Sequence, residues 1–143
     1  MTVKEKIFVP AAYYFLILFI SYTFMNKLMS IESFQTNLLK TGLYSDSVTK
    51  YLSYIVIAGE LLVLILLLFY KKIGSQALLA MLCAFTIYIS FLNIYGRYEV
   101  CGCGGVLNGL EFKYHFLINV ALILLALLLV QNNLKKINNE NQH

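Results

Sequence analysis

Residues 51–70 read YLSYIVIAGELLVLILLLFY, twenty positions in which Glu60 is the one charged side chain and Leu61 to Phe69 is unbroken apolar. A helix rising about 1.5 Å per residue crosses the roughly 30 Å hydrocarbon layer of a bilayer with about this many residues. Working outward, Ile7 to Met25, Ser75 to Tyr95 and Phe112 to Val130 are of matching length and character. The pattern predicts an all-α, polytopic membrane four-helix bundle over residues 1–130, followed by a polar cytoplasmic tail over 131–143. The tail, rich in Asn and Lys, is expected to extend the last helix briefly and then to be disordered.

Composition agrees with this reading. The 143 residues are 60% hydrophobic and 13% charged, against about 45–50% apolar and about 25% charged in soluble domains. That excludes a soluble globular fold. A net charge of +4, spread along the chain, carries no nucleic-acid footprint, so membrane lipid is the first partner implied. The first apolar run follows Lys4 and Lys6 as a secretory signal would. It is longer than the roughly 7–15 residues of such a segment and has no small-residue cleavage site after it, so it reads as an uncleaved first helix. Pro10 falls in its first turn, where the missing N–H is tolerated.

Basic residues set the expected orientation. Lys4, Lys6, Lys71, Lys72, Lys135 and Lys136 lie on one side, and Lys27, Lys40, Lys50, Arg97 and Lys113 on the other. Lys71 and Lys72 sit in a very short connection, where the positive-inside rule is most reliable, so both termini are expected in the cytoplasm of a bacterial inner membrane. Segments 26–50 and 96–111 then form outer loops. In the first of them Ile31, Phe34, Leu38 and Leu39 recur at helical spacing, opposite Glu32, Ser33, Gln35, Thr36 and Asn37. This predicts a short amphipathic helix that lies on the membrane or caps the bundle, an ordinary connector being its simplest role.

Three cysteines are present. Cys101 and Cys103 form Cys-Gly-Cys-Gly-Gly in the second outer loop, which faces an oxidising compartment where a disulfide persists. A disulfide needs Cα atoms about 4.4–6.8 Å apart, and residues i and i+2 in extended backbone reach or exceed that; Gly102 has the freedom to close the gap. A bridge so constrained is the labile kind, and it stabilises little because it closes almost no loop. Three readings of the pair stay open: thiol–disulfide exchange, metal binding, and unreactive thiols in a tight turn. Two thiolates are half a tetrahedral zinc site, and no Met cluster lies near to complete a copper site, so no metal is expected. Cys83 is about 27 Å of helix away from Cys101 and reads as a packing residue.

Polar residues within the spans gather toward the outer side. They are Ser21, Tyr22, Thr23 and Asn26 in the first span, Tyr51, Ser53, Tyr54 and Glu60 in the second, Thr86, Tyr88, Ser90, Asn93 and Tyr95 in the third, and His115 and Asn119 in the fourth. An apolar inner half beneath a polar, aromatic outer half suits a small-molecule site. Glu60 is costly at that depth, so it is protonated or hydrogen-bonded to another helix, acting either as interhelical glue or in proton handling. His115 is either an interfacial side chain or a proton donor and acceptor near the cysteines, with Asn119 on the same face. Arg97 favours a Cys101 thiolate and Glu99 opposes it.

Four helices, the amphipathic outer segment, Gly59-Glu60-Leu61-Leu62, and Cys101-Gly102-Cys103 followed by Gly105 together resemble the MauE branch of the MauE/DoxX family of redox-associated membrane proteins. That branch usually reads Cys-Gly-Cys-Phe-Gly, whereas this chain has Gly104 in the Phe position and so lacks an aromatic lid there. The resemblance implies thiol redox chemistry outside the cytoplasmic membrane that supports disulfide formation or maturation of exported proteins. It implies Cys101 and Cys103 as the redox pair, Glu60 as the family's second-helix glutamate, and a periplasmic thioredoxin-like or disulfide-bearing protein as partner. By analogy with other four-helix thiol oxidases, such as DsbB and vitamin K epoxide reductase, electrons pass to a quinone. Its head group would lie among Tyr54, Tyr88, Asn93 and Asn119, with His115 and Glu60 supplying protons. Those enzymes use two cysteine pairs and this chain has one, so either the flow is reversed, with reducing equivalents delivered outward, or a partner supplies the second pair. A non-catalytic assembly factor or docking subunit, and a copper carrier, are the competing expectations.

Overall fold

Helical periodicity decides which residues turn inward, and each long helix carries one buried stripe at spacings of three and four. The computed structural model describes residues 3–97 and 111–140, with side chains for 7–97 and 111–135. Its described elements are α1 (Val3–Met29), α2 (Ile31–Lys40), α3 (Asp46–Phe69), α4 (Lys71–Ile94) and α5 (Phe112–Glu140). Segments Ile7–Met29, Asp46–Phe69, Lys71–Ile94 and Phe112–Lys135 are long and apolar enough to cross a membrane. The protein is an all-helical, multi-pass membrane bundle.

The stripes are Ala12, Leu16, Ile20, Thr23 and Lys27 on α1; Thr49, Ser53, Ile57, Glu60, Leu64 and Leu67 on α3; Leu78, Leu82, Ile89 and Leu92 on α4; and His115, Asn119, Leu122, Ala126 and Leu129 on α5. Each is a three-to-four-residue repeat, with partly buried Phe85 filling the step from Leu82 to Ile89 on α4, the periodicity that keeps one face of a helix against its neighbours. One end of the bundle is a dry core built around Leu16, Leu67, Leu78 and Ala126. At the other end the stripes of α1, α3 and α5 become polar, while that of α4 stays apolar through Ile89 and Leu92. The outward faces carry Leu18, Leu62, Ile87 and Leu117, all more than half exposed. A lipid environment accounts for those faces, and van der Waals packing rather than the hydrophobic effect then holds helix to helix.

Helix α4 packs against both α3 and α5, and α1 closes the ring against α3 and α5. The α3–α4 hairpin is tighter than a loop. Tyr70 alone interrupts the helix, and Lys71 and Lys72 already belong to α4. Gly74 makes this approach feasible, because a Cβ there would stand 2.5 Å from Leu66 C and Leu67 N. Near the same end the Tyr13 hydroxyl donates to the Leu67 carbonyl, one of the carbonyls a helix C-terminus leaves free. Asn133 Nδ2 donates to Ser75 Oγ at 3.1 Å, joining α5 to α4.

Helix α2 is the expected amphipathic segment, and it caps the bundle by packing beside the first half of α3. Phe34 and Leu38 bury against Ile57, and Gln35 Nε2 donates to Ser53 Oγ at 2.9 Å. Leu39, grouped with them by spacing, is exposed. Two boundaries differ from the sequence reading. Helix α1 runs on to Met29, past the polar residues at which the apolar run stops, because Lys27 is buried against a partner on α3. Helix α5 continues to Glu140, well beyond the brief extension expected. Lys, Gln, Leu and Glu are good helix formers, and a helix already nucleated propagates through the weaker Asn residues among them.

Candidate functional site

The polar ends of the α1, α3 and α5 stripes and the facing part of α4 enclose a cavity of about 160 Å³. Thr23 and Lys27 reach it from α1, Glu60 from α3, Tyr88 from α4, and His115 and Asn119 from α5. Its remaining walls are largely apolar: Phe19 and Ile20 of α1, Phe34 and Leu38 of α2, Leu52 and Val56 of α3, and Leu82, Phe85 and Ile89 of α4. Tyr44, between α2 and α3, completes the lining. The cavity's α4 residues, Leu82 to Ile89, lie twelve to five residues before the end of α4, and its α5 residues, His115 and Asn119, lie three and seven residues after α5 begins; these two helices flank segment 98–110.

At its centre Lys27 Nζ donates to Glu60 Oε1 at 2.6 Å, with the side chains 5% and 1% exposed. The same ammonium lies 5.7 Å from the Phe85 ring centroid and 6.0 Å from that of Phe34, within range of attraction to the negative ring faces. Glu60 Oε2 and the Tyr88 hydroxyl are buried without a hydrogen-bond partner among the described residues. Such groups are expensive to leave unmatched. The cavity therefore presents both donor and acceptor capacity inside an apolar wall.

Above the cavity, the Arg97 guanidinium donates to the Thr41 carbonyl. Thr41 is buried and its own hydroxyl donates to Leu38 O at 2.7 Å. The neighbouring Gly42 has φ +65°, and a Cβ on it would lie 3.1 Å from Arg97 Nη1. Glycine is needed there on both counts. This contact ties the residue just after α4 to the α2–α3 connection.

Of the residues singled out from sequence, Glu60, His115, Tyr88 and Asn119 meet at this cavity. Tyr54 and Asn93 do not: both are exposed on the bundle surface, each one position off its helix's buried stripe. Cys101 and Cys103 lie outside the described residues. Cys83 is a partly buried free thiol, and no cluster of metal-ligating side chains occurs among the described residues. Sequence reasoning missed Lys27, which it counted as a loop charge. Its place at i+4 from Thr23 and i+7 from Ile20 was the available signal. Removing it from the loops turns the basic-residue balance from six against five to six against four.

The family model described as Methylamine utilisation protein MauE matches residues 5–131. The chain belongs to the MauE family. The match covers the first three membrane-spanning segments and all but the last four residues of the fourth, and so takes in the cavity and Cys101 and Cys103 together. No curated protein and no solved structure matches this MauE-family chain.

Proposed function

We propose that this MauE-family protein is a membrane thiol–disulfide oxidoreductase that links a periplasmic thioredoxin-like or disulfide-bearing protein to a quinone through Cys101 and Cys103. In this reading it sits in the bacterial cytoplasmic membrane with both termini inside, and it supports disulfide formation or maturation of exported proteins. The observation that carries the reading is placement. The cavity is lined in part by α4 and α5, the two helices between which the Cys-Gly-Cys segment is strung, and buried polar side chains of α1, α3, α4 and α5 reach into its largely apolar wall.

The chemistry balances in two stages. A thiolate of the partner attacks the Cys101–Cys103 disulfide, a mixed disulfide forms, and the partner's second thiol resolves it. The partner is oxidised to a disulfide and Cys101 and Cys103 become thiols. Reoxidation of the pair then removes two electrons and two protons, which a quinone takes up to become a quinol. The chain's own contribution is to exclude water with Phe19, Phe34 and Phe85, and to offer hydrogen bonds from Lys27, Tyr88 and Asn119. The buried, unpartnered Tyr88 hydroxyl suits a ligand oxygen.

Trapping tests the partner stage. In Cys103→Ser, the Cys101 thiolate should attack the disulfide of an oxidised thioredoxin-like protein, the reverse of the exchange above, releasing one partner sulfur as a thiol and holding the partner as a reducible adduct. The Cys101→Ser variant should form none. Equal adduct in both, or a fully active Cys101→Ser strain, would leave the non-catalytic docking reading in its place.

A further inference from the structure

The Lys27–Glu60 pair has no packing justification. Taking two charges out of water costs several kcal/mol per ion even after relaxation, and a buried pair is often no better than apolar side chains of the same volume. Inside a membrane the cost falls on a chain whose spans otherwise hold few charges, and ionisable residues in such places mark functional paths. The pair also leaves bonding capacity unused. One carboxylate oxygen of Glu60 is engaged and the other is buried and unmatched. An ammonium has three hydrogens, and among the described residues Lys27 shows one hydrogen bond, beside its contacts to the Phe34 and Phe85 rings.

We propose that Lys27 and Glu60 act as a dyad that binds the oxygen-bearing edge of a quinone ring. Lys27 donates to the carbonyl oxygen of the oxidised form, and Glu60 Oε2 accepts from the hydroxyl of the reduced form. This rests on the quinone-linked reading above and identifies the residues that recognise the acceptor. A quinone oxygen changes from acceptor to donor on reduction, and a paired ammonium and carboxylate matches both states without moving. The cavity is roomy enough: about 160 Å³, against the ~10–15 Å³ that one water requires on the same kind of measure. Its aromatic and aliphatic walls suit a ring. The other titratable side chains lining it are Tyr44 and Tyr88, from the α2–α3 connection and α4, and His115 from α5, so hydrogen bonds to a second ring oxygen are within the same lining.

Binding, separated from turnover, tests the dyad. The full chain carrying Cys101→Ser and Cys103→Ser is purified in detergent, stripped of native lipid, and titrated calorimetrically with a short-chain benzoquinone and then its quinol. Saturable binding at one site per chain is expected. Lys27→Gln should weaken the quinone at least tenfold, and Glu60→Gln should weaken the quinol more than the quinone. Because a single change leaves the other charge buried, the double variant Lys27→Met/Glu60→Leu is measured beside them. It should unfold at a temperature no lower than its parent and yet bind neither form. Undiminished binding by that folded double variant overturns the proposal, as does the absence of saturable binding by the parent. In either case, continued cycling of Cys101 and Cys103 in the unsubstituted protein leaves the redox reading standing. Conversely, inert cysteines with dyad-dependent quinone binding remove the redox reading and retain the site.

Discussion

Lys27 of α1 and Glu60 of α3 form a 2.6 Å ion pair in the interior of the bundle, the lysine two residues from the end of its helix and the glutamate fourteen from the start of its own. At about 1.5 Å per residue, Glu60 is roughly 21 Å along α3. The pair thus ties α1 to α3 between the apolar core on one side and the α2 cap on the other, in addition to the Tyr13–Leu67 bond at the opposite end.

Breaking that pair on one side should be worse than removing it altogether. Lys27→Met or Glu60→Leu alone is expected to lower stability by about 3–5 kcal/mol, while the double substitution is neutral or stabilising. Detergent-solubilised unfolding, followed by circular dichroism, measures all three. A double variant as unstable as the single ones would mean that the pair is a net source of stability, and additive losses would mean that the two side chains are not coupled.

Two glycines provide a contrast in close packing. Gly74→Ala forces a Cβ to within 2.5 Å of the α3 backbone, so it should cost about 1–3 kcal/mol, the range for overpacking, and loosen the α3–α4 hairpin. Gly59→Ala meets nothing within 4 Å and should be neutral or gain up to ~1 kcal/mol from helix propensity. The same unfolding assay reads both, and a similar effect at the two sites would contradict the hairpin geometry.

Arg97 should act locally. Arg97→Ala removes a charge-assisted bond to the Thr41 carbonyl, typically about 1.5–3 kcal/mol, and Gly42→Ala strains the same turn. Each is expected to speed amide hydrogen exchange in the 41–45 connection while leaving exchange around Leu16 and Leu78 unchanged. Uniformly faster exchange through the bundle would show that the contact stabilises the whole fold instead.

Orientation is open to direct labelling. With Cys101 and Cys103 replaced by Ser, a cysteine introduced at exposed Lys40 should react with a membrane-impermeant maleimide in intact spheroplasts, and one at exposed Lys72 should react only after lysis. The reverse pattern would place the cysteine segment in the cytoplasm and remove the periplasmic partner.

How much of this was legible in sequence depends on the physics carrying the signal. The spans are set by length and apolarity, and all four appear where those two quantities put them. Helix α2 was visible because Phe34 and Leu38 share a face. Glu60 was visible because a carboxylate in an apolar run has few explanations, and the expected bond to another helix is the one to Lys27. Lys27 itself was hidden by the rule that found α1, since a charge after Asn26 looks like the end of a span. Tyr54 and Asn93 illustrate the converse. Both share the depth of the polar layer, but one residue is about 100° of helix rotation, which moves each from the interior to the surface. Depth is written in residue type, and facing is written in register with the stripe.

The most direct test of thiol chemistry at Cys101 and Cys103 is their alkylation state. The purified protein is reduced, freed of reductant without oxygen, mixed with a short-chain quinone, quenched with a thiol-specific maleimide and weighed as an intact chain. The expected result is a loss of two alkylation sites, mapped by digestion to Cys101 and Cys103, with Cys83 alkylated before and after, and one quinol formed per chain. Retention of both thiols in the presence of excess quinone would contradict a quinone-linked redox pair.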